Sequence, residues 1–446
     1  MSNRGRTIQP SVEQLDSRIV PAIMPALTGG TTAIGGVLSI TSDVTTPVSL
    51  TWTAADSVFV DDGAGGTEEF TGVTALEYTQ VSGDADLTVD TNGLGTGYAT
   101  VPAHTIDTTA GGDDLITVID DPYYNFASAI PGAMASISIS SGLGLDEVSL
   151  SFTDVTGDVN VDTGDNFAFP YDDYATIQGL IIDGDLTVTM GGFSDNTLSV
   201  GGTTVTGDVN ITQGSDFDNY ADFIGNTFDG NVTLSHGFGL STTLFDVTDI
   251  AGNFTADLSS SSATTFSLGG IAVAGIESSV GGTFQLLGSD TGTDFILLES
   301  LAVTGTTLIN TSDGNDIVTI GTAGGGILTT FGNKFTLLTG AGEDTVFLGE
   351  SFIMVGRVDY IYIRTGSDDD IVTFGGTAGR RLYVYLEDGD DLFNYEDTAT
   401  TTGGSRFLGY IHGGAGDDFF TIPFIPADPF IVARSRFVSI TELLGP

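Results

Sequence analysis

The chain has 446 residues, 59 acidic against 11 basic side chains, and a formal net charge of -48. Such a polyanion is repelled by nucleic acid and anionic membranes, and it draws cations, divalent ones above all. It has no cysteine, which excludes disulfides, thiol nucleophiles and thiolate metal sites. No apolar run approaches the roughly 20 residues of a membrane span. Hydrophobic residues make up 40% of the chain and mean hydropathy is +0.20, so there is a core to bury. The 63 glycines, with abundant Thr, Asp and Ser, indicate many tight turns between short strands. No long apolar stripe of period 3.6 is present, so almost no helix is expected.

Residues 1–27 form a separate N-terminal tag or tail. Three of the chain's ten arginines, Arg4, Arg6 and Arg18, lie here. The apolar stretch Ile19–Leu27 is interrupted by Pro21 and Pro25 and is a poor secretory core. The segment "VEQLDSRIVPA", Val12–Ala22, resembles the "LExLExRxVPA" tag that opens many large secreted or surface repeat proteins of bacteria. The resemblance implies export or assembly at the cell surface. A plain tail is the alternative.

Residues 28–422 carry a degenerate repeat, less regular over 28–130. A glycine precedes a short alternating strand at Gly157 ("GDVNV"), Gly184 ("GDLTV"), Gly207 ("GDVNI"), Gly230 ("GNVTL"), Gly252, Gly282, Gly305, Gly332, Gly356 and Gly379. Successive gaps run from 22 to 30 residues and average about 25. A period in this range means a solenoid or blades. Propeller blades need about 40 residues and a Gly-His…Trp-Asp signature, which is absent. The expected fold is all-β: a right-handed parallel β-helix, or solenoid, of about 25 residues per coil. Period-2 alternation should turn Val159 and Val161 inward. It should do the same to Leu382, Val384 and Leu386, with Tyr383 and Tyr385 outside. The recurrence of "TGDVN" at Thr156–Asn160 and Thr206–Asn210 then means one corner met two coils apart.

In the last third a second series keeps phase with the coils: "SDGNDIVTIG" (Asp316), "TGAGEDTVFLG" (Asp344), "TGSDDDIVTFG" (Asp370), "EDGDDLFNY" (Asp391) and "GGAGDDFFTI" (Asp418). Gly413–Thr421 fits the nonapeptide G-G-x-G-x-D-x-U-x in full, and "AGGDDLITV" (Asp114) fits in part. The series resembles the calcium-binding repeats of hemolysin-type proteins. That resemblance implies calcium at Asp316, Asp344, Asp370, Asp391, Gly414, Gly416, Asp417 and Asp418. Calcium takes six to eight oxygens, which Asp carboxylates and glycine-turn carbonyls supply. One departure weakens the transfer of site geometry. The family's nonapeptides are contiguous, whereas these lie 21 to 28 residues apart, so only one corner per coil can bind. The alternative is that Asp serves only as a turn residue.

Aligning "GRVDYIYIRTG" with "GRRLYVYLEDG" places Tyr360 over Tyr383 and Tyr362 over Tyr385, with Tyr410 one coil on. Arg357 and Arg380 flank this strip. It is a candidate sugar or partner face; the structural alternative is a stabilising tyrosine ladder. His104, His236 and His412 share no motif, and no triad, HExxH or P-loop is present, so an enzyme is not expected. A Pro-rich C-terminal cap is expected over 423–446. The sequence therefore points to a non-catalytic secreted or cell-surface protein, structural or adhesive. Its partners would be envelope or matrix components and polysaccharide, not nucleic acid. A polysaccharide-binding or polysaccharide-degrading β-helix using the Tyr/Arg face is the runner-up.

Overall fold

The computed structural model describes residues 36–42, 47–63, 65–91, 101–110, 112–119, 134–164, 172–192, 195–214, 218–269, 277–321, 328–355, 360–376, 381–396 and 410–421 with their side chains. It also gives the backbone of 21–22, 31–34, 377–378, 400–401, 408–409, 436–438 and 442–444. Every regular element among these residues is a strand. The strands stack into a β-solenoid with roughly 26 residues per turn, close to the period read from the glycines.

Each full coil has three sides. Val209–Gln213 lies in a first sheet, Asn219–Ile224 in a second and Thr227–Phe228 in a third. Val232–His236 then re-enters the first sheet, parallel to Val209–Gln213 and one coil on. Among the described residues the first two sheets hold 18 strands each and the third 11. The third sheet starts at Asp154–Val155. Upstream, single bridges from Val101 to Met134 and from Met134 to Val155 hold its place. The less regular segment 28–130 thus contributes rungs to the same stack.

The alternation places side chains as its period demands. Val159 and Val161 are buried while Asn160 and Asp162 are exposed. Leu382, Val384 and Leu386 are buried, and Tyr383 and Tyr385 lie outside. Stacked inward residues form one core that includes phenylalanine columns, such as Phe223 on Phe245 with ring centroids 4.2 Å apart. A buried Val, Leu or Phe contributes about 1.5–3 kcal/mol, and most of that burial is provided by neighbouring coils.

The glycine corner has a steric cause. A Cβ on Gly207 would lie 2.5 Å from the Gly184 carbonyl oxygen, and one on Gly230 would lie 2.1 Å from that of Gly207. The Asp that follows is a staple. The Asp185 N–H donates to Asp158 Oδ1 at 3.0 Å, and the Asp208 N–H donates to Asp185 Oδ1 at 2.8 Å. "TGDVN" recurs because both copies sit at this corner, two coils apart.

The N-terminal end of the stack is closed by strands running the other way. Thr31–Ile34 pairs antiparallel with Val37–Ser42, the first parallel rung of the first sheet. In the second sheet, Ser57–Asp61 pairs antiparallel with Val48–Ala54, and Thr67–Thr71 pairs antiparallel with Ser57–Asp61 to complete a hairpin. Beneath it, Trp52 Nε1–H donates to His104 Nε2 at 2.9 Å inside the core.

Candidate cation site along the acidic corner

The corner between the first and second sheets carries the acidic series. The aspartates singled out in the sequence, Asp316, Asp344, Asp370, Asp391 and Asp418, occupy one register column on consecutive coils, and the structure adds Asp294 one coil before them. The same column holds Asp114, Asp146, Asp173, Asn196 and Asn219 in earlier coils. All are buried, at 2% exposure or less. Each Asp lies two residues before an inward apolar residue (Val346 after Asp344, Phe420 after Asp418) and shares its parity, so the carboxyl points into the solenoid.

One oxygen of each carboxyl is committed. The Asp316 N–H donates to Asp344 Oδ1 at 2.8 Å, that of Asp344 to Asp370 Oδ1 at 2.9 Å, and that of Asp370 to Asp391 Oδ1 at 2.9 Å. The second oxygen has no hydrogen-bond partner at Asp114, Asp146, Asp316, Asp344, Asp370, Asp391 and Asp418. Thr311, Thr339 and Thr365 line the same corner. Their hydroxyls donate to the carbonyls of Thr339, Thr365 and Leu386 in the next coil. The same hydroxyls also stand beside the carboxyls of Asp316, Asp344 and Asp370 and hold their pKa values down against the larger effect of burial.

Burial raises these carboxyls' pKa values, and neighbouring aspartates add to the effect. Asp370 is pushed up to about 8, Asp146, Asp316 and Asp391 to about 7, and Asp344 and Asp294 to about 6. Asp114 and Asp418 move the same way. The column is a line of buried oxygens held toward the protonated form.

The glycines of the motif answer to the backbone. Gly414 and Gly416, four and two residues before Asp418, have φ of +99° and +146°. The equivalent Gly340 and Gly342 have +94° and +130°. The neighbouring coil is also close, since a Cβ on Gly416 would lie 1.8 Å from the Gly389 carbonyl oxygen. Asp417 faces outward, and its N–H donates to Asp390 Oδ1 at 2.8 Å.

The tyrosine strip lies on the outer face of the first sheet, with a register two residues off the sequence alignment. Tyr362 pairs with Tyr383, Arg364 with Tyr385, and Tyr360 with Arg381. These strands repeat after 21 residues, not the 23 that separate Gly356 from Gly379. The tyrosines aligned in the sequence still meet diagonally, with Tyr360–Tyr383 and Tyr362–Tyr385 centroids 6.1 and 5.4 Å apart. Tyr410 lies 5.6 Å from Tyr385. Arg357 and Arg380 fall outside the described residues. The sequence reading missed Arg364, whose Nε lies 2.6 Å from Glu387 Oε1. His412 was set aside for want of a motif; it pairs with Tyr385 in register.

No three acidic or histidine side chains converge on one point among the described residues. Among the described residues no helix is long and apolar enough to cross a membrane. No protein-family model, curated protein or solved structure matches the chain.

Proposed function

We propose that the protein is a non-catalytic extracellular rod, structural or adhesive in role, that is stiffened by calcium at its acidic corner. The observation that carries this reading is the row of buried, unpartnered Oδ2 atoms repeated coil after coil. A buried carboxylate oxygen without a partner is costly, and a bound cation supplies the missing partner. The earlier coils support the same logic. There Asn196 places an amide in the column, and its Nδ2–H donates to the Gly191 carbonyl at 2.9 Å. The carboxylate has no such donor.

The residues fit calcium as one-sided contributors. Asp316, Asp344, Asp370, Asp391 and Asp418 would each give Oδ2. Turn carbonyls and the threonine hydroxyls of the same corner would give more of the six to eight oxygens that calcium takes, whereas Asp417 faces outward and would not reach the same ion. The ion's chemistry here is charge neutralisation between coils. Protons compete for the same oxygens, so affinity falls as pH falls.

The test is thermal unfolding in EDTA and in millimolar calcium, with retained metal counted after dialysis. Binding to the folded state adds about 2.7 kcal/mol per site at a hundredfold excess over Kd. The expected result is a rise of many degrees with several ions retained. Superimposable melts and no retained metal overturn calcium binding. Release of product from neutral or acidic polysaccharides overturns the non-catalytic role.

A further inference from the structure

A groove of about 930 Å³ runs along the outer face of the first sheet, beside the acidic corner. Asn310, Leu338, Arg364, Tyr385 and His412 form its floor, one side chain from each of five consecutive coils in direct register. The floor therefore follows the axis, with a step of roughly 4.8 Å per coil. The turns of the acidic corner make one wall. The occupant such a shape fits is a linear chain whose successive units meet successive coils.

Charge narrows its chemistry. Asp290, Asp313, Glu387 and Asp388 line the groove and repel an anionic chain. Arg364 stands at mid-floor, and its ion pair with Glu387 leaves the floor itself nearly neutral, which suits an uncharged ligand. Hydroxyl groups suit what remains. They donate to the carboxylates and accept from the Asn310 amide and the Arg364 guanidinium. Tyr385 is tilted 49° to Tyr410 and lies roughly parallel to His412, 24° apart in plane with centroids 6.2 Å apart, a row of outward rings that can take the C–H faces of sugar rings.

We propose that this groove binds an extended neutral glycan. The proposal goes beyond the rod reading and does not depend on calcium, so its test is run in EDTA as well as in calcium. Mobility of the full chain is measured in native gels containing a neutral glucan, a neutral mannan, polygalacturonate or polylysine. At least one neutral polymer should retard the chain, in both media. Tyr385→Ala and Arg364→Met should each weaken that retention about tenfold. Tyr174→Ala, on the second sheet, should leave it unchanged. Arg364 is largely exposed, so Arg364→Met keeps the test sound where Tyr385→Ala lowers the melting temperature. The proposal is overturned by no retardation in either neutral polymer, by equal retardation of the Arg364→Met variant, or by stronger binding to polygalacturonate; polylysine serves only as the control for binding to the acidic surface at large.

Discussion

At Asp370 one carboxyl oxygen accepts the Asp344 N–H and the other accepts nothing. Asparagine at this position keeps the acceptor, removes the charge and adds a donor, the arrangement that Asn196 already uses. We expect Asp370→Asn to raise the metal-free melting temperature at pH 8, by an amount of order 1 kcal/mol, and to lower the count of retained calcium. An unchanged melt at pH 8 would show that the lone oxygen carries no strain. The membership of Asp370 in a repeat is legible in the sequence; its inward direction also is, by parity with Val372 and Phe374. The threonines of the same corner left no comparable mark, because a Thr at the end of a strand reads as ordinary strand composition.

At the scale of the corner turn, two positions need a left-handed backbone. Glycine fills most of them, but Ser312, Asp368 and Glu387 stand there with φ of +62°, +84° and +74°. Such residues cost roughly 1–2 kcal/mol relative to glycine. Asp368→Gly should therefore stabilise the protein by about 1 kcal/mol, and Gly342→Ala should destabilise it by more, because its Cβ would also lie 2.1 Å from the Gly314 carbonyl oxygen. Denaturant titration of the two variants checks both signs; a destabilised Asp368→Gly would mean that its side chain matters more than its backbone. The G-x-G-x-D spacing was legible because φ selects glycine directly. The tyrosine register was not, because corner loops differ in length from coil to coil. Counting from glycine to glycine then drifts from the strand pairing by two residues, as it does between Arg364 and Tyr385.

For the molecule as a whole, the buried column sets an unusual pH response. The raised carboxyls hold protons more tightly folded than unfolded. Their contribution is complete below about pH 4 and is lost as pH climbs through about 6 to 8. His104 and His236 act in the opposite sense. Burial lowers them to about 4 and about 3, so their contribution is present above pH 6.5 and fades toward pH 4. Above about pH 7.5 His104 and His236 are neutral both folded and unfolded, so between about pH 7.5 and 8.5 the change comes from the raised carboxyls. In EDTA the melting temperature should fall across that window, and millimolar calcium should flatten the fall; a metal-free protein that gains stability over it would contradict the buried column. The solenoid itself was legible at this scale from glycine spacing and alternation, since both follow from backbone geometry. The antiparallel strands at the start of the stack were not, and they bear on growth. Parallel rungs are templates, and a bare end invites the next chain to add to it. Here the first rungs are already covered by strands of opposite polarity, and the outermost strand of the hairpin carries Glu68 and Glu69. In the language of polymerisation, the chain carries its own terminator at that end.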